Sequence, residues 1–383
     1  MLSLLGIGLA ATPQAAADDV KSKQWYLDGM QADEMWKVSR GEGVTVAVVD
    51  SGVDSAVPEL RGQVLQGADV SNKPMGADVD QDGHGTEMAA LISGTGADGG
   101  IQGLAPGARI LPVRTVQAGL ADASDPLMAR AIRYAVDHGA RVVNISMAGV
   151  ESPSQTGQLE AAVKYALAKG SLIFAGSGND GDKGNLPNYP ATMTGVVSVG
   201  AIDKTNAVTK WSNSASNVAL AAPGDEIPGR CKKSAGFCAR QGTSQATALA
   251  SASAALIWSK HPDWTGNQVL RVMMETAGKP TTGKIPSPYI GYGIVRPRKV
   301  LLDGEGDPGP ADVNPLLAAG ESASPKPIPS GDSTSSATPN HRPSAGPSPA
   351  KGTGTALSLG IGIGAVVAVA SAAIVVTVRR RRR

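Results

Sequence analysis

Aromatic side chains are scarce, at 3% of 383 residues with only two phenylalanines, so the core cannot be built on stacked rings. Hydrophobic residues still reach 42%, and 48 glycines accompany them. That composition implies a core of Ala, Val, Ile and Leu with closely packed elements, as in an α/β domain. Cysteine is limited to Cys231 and Cys238. They form no CxxC pair, and no nearby Cys or His completes a zinc set. Two readings remain for them: a pair of reduced thiols, or, better suited to an exported chain, a local disulfide contributing about 2.5 kcal/mol by loop closure. A basic body is lacking too. The net charge is +2, but Arg379–Arg383 are the last five residues, and subtracting them leaves −3. Nothing in the main body resembles a nucleic-acid footprint. No internal repeat is present.

Both ends carry membrane signals. Leu2 to Ala11 is apolar, and Ala15-Ala16-Ala17 precedes Asp18 and Asp19, the pattern of a secretory signal over residues 1–17. The positive segment that normally opens such a leader is absent, which a start assigned too late would explain; a plain N-terminal tail is the alternative. At the other end, Ala356 to Val378 is 23 residues without a charge. As a helix it spans about 34 Å, enough for a hydrocarbon core of about 30 Å. The arginines of the 379–383 tail belong on the cytoplasmic side, leaving everything before the span outside. A buried soluble helix is the competing reading. Ten of the 26 prolines fall between Pro308 and Pro349 among Ser, Gly, Thr and Ala. Residues 304–355 are therefore expected to be a disordered, semi-extended tether.

Between these ends, an extension over 18–40 leads into a globular domain over 41–303. Val44–Val49, Arg109–Val113, Val142–Ile145, Leu172–Ala175 and Val196–Val199 are short β-branched or apolar runs suited to buried strands. Met128, Ala131, Ile132, Ala135 and Val136 follow helical spacing, as do Leu159, Ala162, Val163, Ala166 and Leu167. Strands alternating with one-faced helices predict a mostly parallel sheet covered on both faces.

Such sheets place chemistry at the carboxyl ends of strands. Asp50 ends the run Val46-Ala-Val-Val-Asp50, where a carboxylate can hold an imidazole; alone it reads equally as a cap or turn residue. His84 lies between Gly83 and Gly85 at the start of a helical stretch. The other three histidines suit other roles: His138 at a helix end, His261 in a Lys-His-Pro turn, His341 in the tether. A general base, if present, is therefore His84. Ser244, in Gly242-Thr-Ser-Gln-Ala246, opens a long Ala/Ser helix whose positive end can activate a nucleophile; a simple helix cap is the bland reading. Asn179 follows a strand in Phe174-Ala-Gly-Ser-Gly-Asn179, where its amide can donate to a developing oxyanion.

The order Asp, His, Ser and the sequences around each resemble the subtilases over Gly43 to Thr276. Asn144-Ile-Ser-Met-Ala-Gly149 resembles the strand that lines the substrate pocket, which implies substrate contacts from Ser146, Met147, Ala148 and Gly149. Trp211-Ser-Asn213 and Ala221-Ala-Pro-Gly224 match as well. The resemblance implies a three-layer subtilisin-like fold and peptide-bond hydrolysis without a cofactor. A narrower likeness is to the mycosins, membrane-anchored subtilases of type VII secretion. It rests on Gln24–Met30 and Ala32–Trp36 just before Gly41, on the proline-rich tether and on the terminal span. Polypeptide substrates, a membrane and secretion machinery are the implied partners. Gln245 stands where the family usually has Met or another bulky residue, Ala248 where it has proline, and Ala148 where it commonly has glycine. Asp78, Asp80 and Asp82 form an acidic cluster that reads as a solvated loop and carries no metal assignment. Two rivals remain: a docking component of a secretion complex with dispensable proteolysis, and a lipase or esterase. The second is disfavoured by the missing second glycine of a GxSxG elbow.

Overall fold

The computed structural model describes residues 20–115, 125–147, 149, 156–231 and 236–318. Ala148, the expected signal segment, the expected membrane span and its arginine tail lie outside them. Seven parallel strands form the central sheet: β1 (Thr45–Asp50), β2 (Ala68–Asp69), β3 (Arg109–Arg114), β4 (Val142–Ile145), β5 (Leu172–Gly176), β6 (Val197–Ile202) and β7 (Val218–Pro223). Their order is β2-β3-β1-β4-β5-β6-β7, which puts β1 and β4 side by side near the centre. A separate antiparallel hairpin pairs β8 (Ile227–Arg230) with β9 (Phe237–Arg240).

The strands are apolar on both faces because both faces are covered. Val46 and Val48 of β1 join one core with Ile110, Val142, Leu172 and Phe174, under α3 (His84–Ser93), α6 (Thr243–Lys260) and α7 (Gly266–Thr276). Ala47 and Val49 point the other way, joining Val143, Ile145 and Ile173 under α4 (Asp125–Asp137) and α5 (Gly157–Ala168). The expected α/β sandwich is thus what forms.

Helix α6 is buried almost all round, from Gln245 to Trp258. A helix enclosed on every side needs small side chains, and its Ala and Ser residues supply them. Two of its hydroxyls are satisfied within the helix: Thr247 donates to the Thr243 carbonyl and Ser253 to the Leu249 carbonyl, both at 2.7 Å. Burial therefore leaves no hydroxyl penalty at these positions.

The folded chain reaches past the expected domain end at 303: residues 304–318, the start of the expected disordered tether, are held on α7, and the rest of that tether lies outside the described residues. The short helices α1 (Trp25–Met30) and α2 (Ala32–Met35) put Tyr26, Leu27, Met30 and Met35 into the same core as α6. After α8 (Pro297–Leu301), the carbonyls of Gly309, Ala311 and Val313 accept hydrogen bonds from Gln268, Asn267 and Arg271 of α7.

Candidate active site

The expected Asp50 is the last residue of β1 and is 1% exposed. His84 is the first residue of α3, entered through Gly83 at φ +82. A Cβ on Gly85 would stand 2.1 Å from the Gly52 carbonyl and 3.0 Å from Asp50 Cβ, so only glycine lets α3 seat this closely on the end of β1. The result is a two-pronged contact: His84 Nδ1 lies 2.8 Å from Asp50 Oδ1 and 3.0 Å from Oδ2. Asp50 Oδ1 also accepts from the Ser51 N–H at 2.8 Å, which fixes the carboxylate plane. Burial disfavours the imidazolium, but the Asp50 charge and hydrogen bond outweigh it, with further help from Glu87 and Asp82, and push His84 up to about 9.

The loop before His84 is braced by Asp80, whose role the sequence reading missed. Asp80 Oδ1 accepts from Ser51 Oγ at 2.9 Å and from the Gly83 N–H at 2.8 Å. Its Oδ2 accepts from the Thr86 N–H at 2.8 Å and the Thr86 hydroxyl at 2.5 Å. One carboxylate therefore ties the segment after β1 to the first turn of α3. Among the described residues no group of three metal-ligating side chains forms, at this acidic cluster or elsewhere.

Ser244 is the second residue of α6, in the turn whose N–H groups have no intrahelical acceptor. Its hydroxyl donates to the Ser146 carbonyl at 3.0 Å. Ser146 immediately follows β4, and β4 pairs with β1 up to Val49 opposite Ile145. Asp50 and Ser146 are thus the next positions along adjacent strands. Ser146 Oγ donates to the Ser244 carbonyl at 3.2 Å, and Asn144 Nδ2 donates to Ser146 Oγ at 3.0 Å. Ser251, two turns along α6, donates to Asn144 Oδ1 at 3.1 Å, which closes a chain of hydrogen bonds between β4 and α6.

Asn179, three residues past β5, accepts through Oδ1 from the Thr243 N–H at 2.8 Å and the Thr243 hydroxyl at 3.0 Å. Its oxygen is committed, so its Nδ2 hydrogens face the other way. The point where a Cβ on Gly242 would sit is 2.6 Å from Gln245 Oε1, 3.6 Å from the Ser244 nitrogen and 3.7 Å from Asn179 Nδ2, so the two nitrogens and that amide oxygen border one small space.

Of the four residues expected to line the substrate, Ser146 touches Ser244 directly. Met147 is half-buried, with its sulfur 3.6 Å from the Thr115 hydroxyl. The N–H and carbonyl of Gly149 are both taken by Tyr189, at 3.2 and 3.0 Å. Cys231 and Cys238 form a disulfide that closes the β8–β9 hairpin, which settles the choice between bridge and free thiols.

Comparison with known proteins agrees with this geometry. The subtilase family profile matches residues 41–293. Thermitase of Thermoactinomyces vulgaris is 34% identical over 240 residues, which is 62% of this chain and 83% of thermitase. Among solved structures, MycP1 from Mycobacterium smegmatis superposes with a TM-score of 0.65 at 28% identity, covering 79% of this chain and 89% of MycP1. MycP3, a protease from the type VII (ESX-3) secretion system, gives 0.62 at 31% identity, covering 72% of this chain and 87% of MycP3. The chain belongs to the subtilase family and is a serine-type endopeptidase.

Proposed function

We propose that Ser244, His84 and Asp50 are the nucleophile, general base and orienting carboxylate of a membrane-anchored, extracytoplasmic endopeptidase that works alongside type VII secretion. The observation that carries the catalytic assignment is the paired contact of His84 Nδ1 with both Asp50 oxygens. It fixes the tautomer so that Nε2 is the nitrogen free to take a proton. Ser244 Oγ turns from the Ser146 carbonyl towards that nitrogen as substrate enters, and attacks the scissile carbonyl. The Ser244 N–H and Asn179 Nδ2 receive the oxyanion, and Asn179 needs no reorganisation because Thr243 already holds its oxygen. Protonated His84, stabilised by Asp50, then donates to the leaving amine, and water repeats the sequence to release the acyl group.

The anchor is argued from Ala356 to Val378 and the five arginines after it. The secretion role is argued from likeness to MycP1 and MycP3. The test of catalysis is labelling with a fluorophosphonate probe, which reacts with an activated serine. Labelling lost in both Ser244→Ala and His84→Ala supports the assignment. A folded wild-type chain that takes no label overturns it.

A further inference from the structure

Behind His84 and Ser244 lies a buried polar bridge that the proposed triad does not use. Glu87 sits one turn after His84 on α3, and Gln245 directly follows Ser244 on α6. They are 5% and 4% exposed. Gln245 Nε2 donates to Glu87 Oε1 at 2.7 Å. Glu87 Oε2 faces Arg240 Nε of β9 at 3.3 Å, and Arg240 Nη2 donates to the Arg230 carbonyl of β8 at 2.9 Å. The hairpin closes over the carboxylate at Gly229, where a Cβ would stand 2.6 Å from Glu87 Cδ. Gly229 lies opposite Cys238, so the Cys231–Cys238 disulfide locks the same lid.

A buried carboxylate that accepts from one amide and pairs with one guanidinium is a joint whose amide arm is directional, unlike the apolar contacts around it. Losing Glu87 strands the Arg240 charge, and losing Gln245 leaves one buried carboxylate oxygen without its donor. The joint connects the first turn of the helix bearing His84 to the first turn of the helix bearing Ser244. The bulky apolar residue that the family resemblance places at Gln245 could not make it. We propose that Glu87 and Gln245 are positioning residues, their hydrogen bond setting Ser244 against His84 beneath the disulfide-locked hairpin. This rests on the triad assignment and adds to it. The charge of Glu87 also bears on His84. The other titratable and charged groups that face these two are Asp50 of β1, Asp82 of the preceding loop, Arg240 of β9 and Tyr26 of α1. Replacing Glu87 by Gln keeps a hydrogen-bonding partner for Gln245 and removes one negative charge from the neighbourhood of His84.

The experiment measures fluorophosphonate inactivation of the full-length chain across pH, separating the maximal rate from the half-saturating concentration. Thermal melts confirm that each variant is folded. Glu87→Ala and Gln245→Ala are expected to slow the maximal rate by roughly 10- to 100-fold, the scale of an ångström-sized misplacement, with half-saturation little changed. The double variant should be no slower than either single one, because both remove the same joint. Glu87→Gln should recover most of the rate and move the acid limb of the pH profile downwards. Should the alanine variants fail to fold, Glu87→Gln and Gln245→Met decide: the first fast with a shifted limb, the second slow. Variants that all react at the wild-type rate, losses that multiply, or a Glu87→Gln limb that stays in place would each overturn the proposal while leaving the triad intact. A wild-type chain that does not react overturns both.

Discussion

The state of a single imidazole governs how this site responds to pH. His84 is pushed up to about 9, since Asp50 overcomes the cost of burial. The free enzyme therefore holds the protonated, non-basic form at neutral pH, and kcat/KM is expected to climb through about pH 9 rather than near 6.5. A pH–rate profile on a peptide substrate checks this; a plateau already reached at pH 7 refutes it. The same shift enters stability. Because the folded value exceeds the unfolded one, the stabilisation is complete below about pH 6.5 and is lost as pH rises through about 9. Urea unfolding at pH 6 and pH 10 should show that loss in the wild type and not in His84→Ala. Asp80 is the second residue on which the site turns. Asp80→Ala removes the acceptor for Ser51, Gly83 and Thr86 together. A cost of about 2–4 kcal/mol is expected from donors stranded in part-buried positions, read from the denaturation midpoint, with activity falling further than stability alone explains. A variant within 0.5 kcal/mol of wild type, about the scatter of surface substitutions, would show that water replaces the brace.

The elements that place these residues were unevenly legible in the sequence. β1, β3, β4, β5 and half of β6 read correctly because short apolar runs of this length have few other uses, and His84 and Ser244 do open helices as expected. β7 was missed: Val218-Ala-Leu-Ala-Ala-Pro223 is half alanine and ends in proline, and only its position at the sheet edge makes it a strand. Asp80 was hidden for a similar reason. In sequence it is one of three loop aspartates, and only the fold turns five donors towards it, the Asp82 N–H included. The β8–β9 hairpin carries no alternation of its own and is held instead by its disulfide and by two ion pairs, Arg230 with Glu59 and Arg240 with Glu87. Replacing both cysteines by serine should therefore cost about 2.5 kcal/mol in denaturant unfolding, the loop-closure value for so short a ring. It should also expose Glu87, so inactivation by the fluorophosphonate should slow along with the loss of stability. A double variant that unfolds earlier but reacts at the wild-type rate would confine the disulfide to a structural role.

At the scale of the whole molecule, two assignments compete for the same architecture. No helix among the described residues is long and apolar enough to cross a membrane, and the uncharged stretch from Ala356 to Val378 lies outside them. The anchor is thus a matter for fractionation: the full chain should pellet with membranes and resist carbonate extraction, while a chain ending at Ala318 should not. Whether the folded body serves by cutting or by docking is a separate question. A docking component needs its surface, not a carboxylate locked on an imidazole by two contacts, an amide oxygen held at the start of the nucleophile's helix, and a brace on the loop before the imidazole. Those features cost stability to assemble in a buried site and have use only if charge develops there. Ser244→Ala removes one oxygen and leaves the surface as it was, whereas deletion of the gene removes both roles. If catalysis is the contribution to the proposed secretion role, deletion and Ser244→Ala should both stop type VII secretion. Secretion that persists in Ser244→Ala but stops on deletion would assign the folded body to assembly, and the endopeptidase activity to a separate cleavage that secretion itself does not require.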